Sequence, residues 1–245
     1  MFAHEKLTVY ERAVDFAAKA AVWTTTWDKK HALVGQLSRA TESILLNLAE
    51  AARRRGAPGR LLIADYAIGS SLECAACLDV ARIKELLTPQ QCHEEKYQLC
   101  EITKMLIGLR KAWAESTVRE EPLPYPTESL VPPREPLFHH EALKLYREAL
   151  SFMEWFVSRS GAKELSNRLF RQMDEAGTSL VLNIAEGNGR YAELDHRRFL
   201  QIAQSAAVKA AVYLDLCVHR ALLVESEASA GKEFLRGISA MVDGF

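Results

Sequence analysis

Two stretches decide the fold: Ser43–Arg54, Ser-Ile-Leu-Leu-Asn-Leu-Ala-Glu-Ala-Ala-Arg-Arg, and Ser179–Arg190, Ser-Leu-Val-Leu-Asn-Ile-Ala-Glu-Gly-Asn-Gly-Arg. In the first, Leu33, Leu37, Ala40, Ile44, Asn47 and Ala51 recur at alternating steps of 4 and 3, the seam of a helix packed against a partner. Leu169, Met173, Ala176, Leu180, Asn183 and Gly187 repeat it. A polar stripe runs beside each seam: Gln36, Ser43, Asn47, Glu50 and Arg54, then Gln172, Ser179, Asn183, Glu186 and Arg190. Two readings of the stripe stand. Seam Asn residues fix register and Glu50–Arg54 makes an i,i+4 pair, or the stripe is a contact surface.

The two stretches belong to a longer repeat. Shifted by 136 residues, Phe2–Leu87 lies on Phe138–Leu223 without a gap, with 22 identities in 86 positions. These include Phe2/Phe138, His4/His140, Glu5/Glu141, Tyr10/Tyr146 and Asp79/Asp215. A unit this long is a duplicated domain. Six of the eight prolines fall between Pro122 and Pro136. Proline fixes φ and removes an amide donor, so this is an extended linker. The expected organisation is a first repeat at 1–118, a linker at 119–136 and a second repeat at 137–245.

Each half reads as four helices. Leu7, Tyr10, Ala13/Val14 and Ala17 mark the first, and the seam above marks the second. The third follows Gly56-Ala57-Pro58-Gly59 and carries Ile63, Ala67, Ser70, Cys74, Leu78 and Ala81. The fourth starts at Thr88-Pro89-Gln90-Gln91, a capping box with Pro at the first helical position, and runs to about Trp113. Its counterpart reads shorter, near Ala228 to Val242. Short connections make neighbours antiparallel. The expected fold is all-α: two tandem antiparallel up-down four-helix bundles joined by a Pro-rich linker.

Composition narrows the function. Thirty-one basic and 32 acidic residues leave a net charge of −1, which excludes a uniformly basic nucleic-acid coat but allows local patches. The first repeat has 16 basic and 14 acidic groups, the linker 2 and 4, the second repeat 13 and 14. His4, Glu5 and Lys6 interrupt any signal-like start, and no run approaches the roughly 18 apolar residues of a membrane span. The expectation is a cytoplasmic protein away from membranes. Cys74 and Cys77 form a CxxC inside an apolar helical run, with Cys92, His93 and Cys100 on the next helix. Zinc knots sit on tight loops, so the thiols read as small core residues and no metal or cofactor is expected.

The doubled motif resembles the Ser-Ile-x-x-Asn-Ile-Ala-Glu-Gly-x-x-Arg signature of a bacterial four-helix-bundle family. That family was first noticed in intervening sequences of large-subunit ribosomal RNA genes, and includes the accessory variability protein of diversity-generating retroelements. Leu7–Phe16 and Leu143–Phe152 resemble its first helix, Gly35–Ile44 its Gln-x-x-Arg-Ala-x-x-Ser-Ile run, and Tyr66–Cys74 its Ala-x-Gly-Ser-x-x-Glu run. The second half departs at Glu175, Ser205-Ala206 and Lys209, and the first has Ala51 where Gly187 keeps the motif. The resemblance implies a non-catalytic accessory protein that binds a reverse transcriptase and its template RNA. It also implies self-association into small rings. Odd rings cannot be filled by whole two-bundle chains. The halves therefore pack on each other as a closed pseudo-dimer, form even rings, or contribute one half per ring position. The alternative function is a structural or regulatory homo-oligomer with no nucleic-acid role.

Two arginine turns are the candidate RNA contacts. Arg53, Arg54, Arg55 and Arg60 surround the first turn, and Arg190, Tyr191, Arg197 and Arg198 the second. Guanidinium groups suit phosphates, and Tyr191 offers a stacking face. Catalysis has no comparable signal. The Glu-x-x-His of a di-iron bundle occurs once, at Glu193 and His196, and no phosphate loop, nucleophile elbow or HExxH is present. No small-molecule substrate is expected.

Overall fold

The computed structural model describes residues 2–54, 57–115, 136–160 and 164–244. Arg55, Gly56 and most of the Pro-rich linker lie outside them. The described residues form eight α-helices in order: α1 (Thr8–Thr26), α2 (Ala32–Arg53), α3 (Ala57–Ile83), α4 (Pro89–Glu115), α5 (Lys144–Ser160), α6 (Arg168–Asn188), α7 (Glu193–His219) and α8 (Glu225–Asp243). Short 3-10 turns at His4–Lys6 and His139–Ala142 precede α1 and α5. The described residues contain no strand. The chain is all-α, and its two halves are tandem four-helix bundles.

In the first half α1 packs on α2, α2 on α3, α3 on α4, and α4 closes back on α1. Helices α5 to α8 follow the same order, with α5 closing on α8. Local chemistry starts the helices where expected at α4. The Gln91 amide donates to Thr88 Oγ1 at 3.2 Å, and the Thr88 amide donates to Gln91 Oε1 at 3.0 Å. At α6, Asn167 Oδ1 accepts from the Leu169 amide at 2.9 Å. Both bundles reverse between their third and fourth helices through a left-handed residue, Glu85 (φ 57°) and its counterpart Ala221 (φ 54°). The side chains differ, but backbone bonds hold the same turn: Leu86 N to Ala81 O at 2.9 Å and Leu222 N to Cys217 O at 2.8 Å.

Three sequence expectations need correction. Helix α8 begins at Glu225, one turn before the periodicity suggested, because the Val224 amide donates to Glu227 Oε2 at 3.1 Å and caps that extra turn. The 136-residue register in fact runs on through α4 and α8, with Lys96/Lys232, Leu99/Leu235, Ile102/Ile238 and Met105/Met241 identical. The second correction concerns the α2 seam. Its buried residues are Leu33, Leu37, Ala40, Thr41, Ile44, Leu48 and Ala51, so Leu48 takes the place given to Asn47. Asn47 Nδ2 instead donates to Ser43 O at 2.8 Å and Ser43 Oγ at 2.9 Å, within its own helix. Asn183 repeats this with Ser179. The cross-helix link is the neighbouring hydroxyl pair, Ser43 Oγ to Ser70 Oγ at 2.7 Å.

The third correction is α3. Gly59–Ile83 is long and apolar enough, by length and composition, to cross a membrane, and most of it is buried inside the fold. The reason is that α3 packs on two sides. One side meets α2 and α4, and the other meets α5 and α6 of the second half. A helix enclosed all round becomes apolar all round. Cys74 and Cys77 are fully buried there as free thiols, pushed to high pKa by burial and then by Glu73.

The halves therefore pack on each other, and the contact is one-sided. Helices α5 and α6 lie against α3, and α6 also meets α2. In a two-fold pseudo-dimer α7 would make the reciprocal contact with α1 and α2. Among the described residues it makes no such packing. The joint is head-to-tail.

Candidate functional site

The first arginine turn is partly neutralised by its own helix. Glu50 accepts from Arg53 Nε at 3.0 Å, Arg53 Nη2 at 2.8 Å and Arg54 Nε at 2.8 Å. The bonds from Arg53 and then Arg54 hold the Glu50 carboxyl down at about 2. Both arginines remain exposed enough to meet a partner. Arg60 turns inward. Its Nε donates to Ala51 O at 3.0 Å, capping the end of α2, and its guanidinium lies 3.9 Å from the Trp113 ring centre. Arg55 lies outside the described residues.

The second turn divides its residues between surface and interior. Tyr191 is exposed, with the Arg110 guanidinium 3.9 Å from its ring centre. Arg110 in turn pairs with Asp65. Arg197 and Arg198 are exposed, and Arg197 meets Glu193 at 3.4 Å. Arg190 is different. Its side chain is 6% exposed, against 43% for its counterpart Arg54. It pairs with Glu186 and lies between the rings of Tyr66 and Phe199, 4.9 and 4.7 Å away. Tyr66 belongs to the other half, so Arg190 belongs to the joint. Arg110, which sequence reasoning missed, connects the turns: Arg60–Trp113 and Arg110–Tyr191 are adjacent contacts along the last turns of α4.

The polar stripe shows the same division. In the first half Gln36 accepts from Arg39, and Glu50 faces outward with its arginines. In the second, Gln172 Oε1 accepts from Tyr213 at 2.9 Å, and Glu186 and Arg190 are covered by α3. Glu186 stands near Glu73 of α3. Burial, then the Glu186 charge, pushes the Glu73 carboxyl up to about 8.

A second polar cluster holds the joint at its other end. Lys96 on α4 pairs with Asp79 at 2.7 Å and with Glu141 from the second half. Tyr146 Oη donates to the other oxygen of Asp79 at 2.9 Å. Burial disfavours the Lys96 charge, but the two carboxylates keep its pKa above the ordinary lysine value. His140 is fully buried beside them, with its ring 4.6 Å from Tyr146 and 5.6 Å from Phe138. Burial, then Lys96, pushes its pKa down to about 3, so the ring is neutral. Asp79, His140 and Glu141 have the donor spacing of a metal site. The Lys96 ammonium already lies between the two carboxylates, which makes the cluster an ion-pair network. A cleft of about 530 Å³ opens beside it, lined by Arg82, His93 and Arg147 among others. Near α2, Lys84 and Asp174 form a second cross-half ion pair, almost fully buried, and Asp174 Oδ2 also accepts from the Ala32 amide at 3.1 Å. The sequence signal for the first cluster was the Lys96/Lys232 identity. It lies C-terminal to the Phe2–Leu87 segment of the repeat.

Fold and joint together define a class: a tandem duplication of a small four-helix bundle whose copies are welded by buried ion pairs. The family model for the 23S rRNA-intervening sequence protein matches twice, at residues 5–108 and 141–244, and the chain belongs to that family. No curated protein and no solved structure matched the chain.

Proposed function

We propose that this protein is a non-catalytic cytoplasmic accessory protein that binds RNA, and with it a reverse transcriptase, as the retroelement branch of its family does. The observation that supports the reading is the surface bridged by α4. Arg53 and Arg54 near one turn, and Tyr191, Arg197 and Arg198 at the other, fall on neighbouring parts of the molecule through Arg60–Trp113 and Arg110–Tyr191. Exposed guanidinium groups around an aromatic face suit the phosphates and bases of a single strand. The competing reading, a structural oligomer without nucleic acid, draws on Arg190 and Glu186 being consumed by the joint and on Glu50 neutralising its neighbours.

Fluorescence anisotropy with a labelled single-stranded RNA decides between them. Arg53→Ala/Arg54→Ala and Arg197→Ala/Arg198→Ala should each weaken binding while leaving the helical signal intact. Each lost phosphate contact should flatten the log–log salt dependence by about 0.7. Affinity and slope unchanged in both variants, or no binding by the parent protein, would leave the structural reading.

A further inference from the structure

The cleft at the joint lies between the end of α3 and the starts of α4 and α5. Its 530 Å³ falls within the roughly 300–1,000 Å³ of small-ligand pockets. The carboxylates that line it are already used. Asp79 accepts from Lys96 at 2.7 Å and from Tyr146 at 2.9 Å. Glu141 pairs with Lys96 and accepts from the Phe138 amide at 3.3 Å. The arginines that line it are not. Arg82 reaches Glu154 at 3.8 Å, with both side chains partly exposed, and such a pair contributes little. The Arg147 side chain is exposed and makes no hydrogen bond or ion pair among the described residues. His93 adds a third basic side chain to the wall.

Comparison of the two copies separates the residues that hold the joint from those that make the cleft basic. The network recurs in the 136-residue register: Asp79/Asp215, Lys96/Lys232, Glu141/Glu5 and Tyr146/Tyr10. The basic residues do not. Val218 stands in the place of Arg82, Ser229 in that of His93 and Glu11 in that of Arg147. The ion-pair network closes without Arg82, His93 and Arg147, so packing of the halves gives no reason for three cations in one concavity.

The start of α4 differs in the same sense. Pro89, Cys92 and His93 of its first turns line the cleft, and that first turn carries no acidic residue. Helix α8 has Glu225 and Glu227 there, with Glu225 in the place of Pro89. A helix N-terminus favours negative charge. In α8 the chain supplies that charge itself, whereas at the cleft the first turn of α4 supplies none.

We propose that this cleft binds a small phosphate monoester, its dianion held between Arg82 and Arg147 beside the start of α4. Guanidinium forks match phosphate oxygens in pairs. Leu137 and Ala142 give the organic part of the ligand an apolar wall. The site joins α3 and α4 of one half to α5 of the other, so a bound anion would also brace the joint. The inference is independent of the RNA reading, which rests on other arginines.

Titration calorimetry on the full chain tests it, with inorganic phosphate, adenosine 5′-monophosphate and adenosine as probes. Phosphate and the monophosphate should bind, and adenosine should not. Arg82→Gln and Arg147→Glu should each weaken the monophosphate about tenfold or more, because each removes charge-assisted bonds to the anion. Arg147→Glu installs the residue of the other copy, and neither side chain is part of the core, so the helical signal should match the parent. Arg197→Ala/Arg198→Ala should leave this binding unchanged, which separates the cleft from the RNA surface. A short RNA with a 5′-phosphate that displaces the monophosphate, where its 5′-hydroxyl form does not, would assign the phosphate to an RNA end; displacement by neither would assign it to a free small molecule. No binding of phosphate or the monophosphate at millimolar concentration, adenosine binding as tightly as its monophosphate, or affinities unchanged in both arginine variants would each overturn the proposal.

Discussion

Identical residues in the two copies have different environments, and the difference has measurable consequences. Tyr146 is fully buried with its hydroxyl on Asp79, whereas Tyr10 is half-exposed, with no neighbouring half to meet. Tyr146→Phe leaves one oxygen of a buried, lysine-paired carboxylate without its donor, and should cost about 1–3 kcal/mol of unfolding free energy. Tyr10→Phe should change stability by no more than about 0.5 kcal/mol when measured by urea unfolding at nanomolar concentration, below any assembly. Equal costs would show that the tyrosines are equivalent. Arg190 and Arg54 make the same point. The sequence shows two matching arginines in matching motifs. It does not show which copy faces the other half, because that is set by packing across more than a hundred residues of chain.

Helices were the legible part, because each buries one stripe and the stripe repeats every three to four residues. The capping box at Thr88 was readable for the same local reason. What failed was phase and enclosure. Asn47 and Leu48 are neighbours, and a seam of small and polar residues does not distinguish them by spacing; the Asn47 amide bonded to Ser43 and the burial of Leu48 do. The apolar character of α3 looked like an ordinary core helix, whereas its second side is the joint. At this scale Glu73 is the sensitive position. Its carboxyl, raised to about 8 by burial and by Glu186, takes up a proton on folding. The stabilising proton is fully held below the unfolded value near 4.5 and is lost as pH rises through about 8. Glu73→Gln should therefore raise the melting temperature at pH 9 and change it little at pH 4. A variant whose effect is the same at both pH values would mean that Glu73 is ionised throughout, with Arg39 and Arg190 neutralising it.

At the scale of the whole molecule, the tandem architecture follows from the 136-residue repeat, and the repeat was visible in the sequence. The head-to-tail joint was not, because the linker length permits several arrangements and the residues that choose between them, Lys84, Lys96, Asp174 and Glu141, are ordinary surface types in isolation. Lys84 and Asp174 are 90 positions apart, on different bundles, and both side chains are almost fully buried. Breaking such a pair from one side leaves an unpaired buried charge, whereas removing both ends does not. A double-mutant cycle of Lys84→Met and Asp174→Leu, read by urea unfolding, therefore tests the joint most directly. Each single substitution should cost about 3–5 kcal/mol, and the double should cost at least about 2 kcal/mol less than their sum. Strictly additive single costs would mean that the two residues do not meet, and would contradict the welded arrangement of the two bundles.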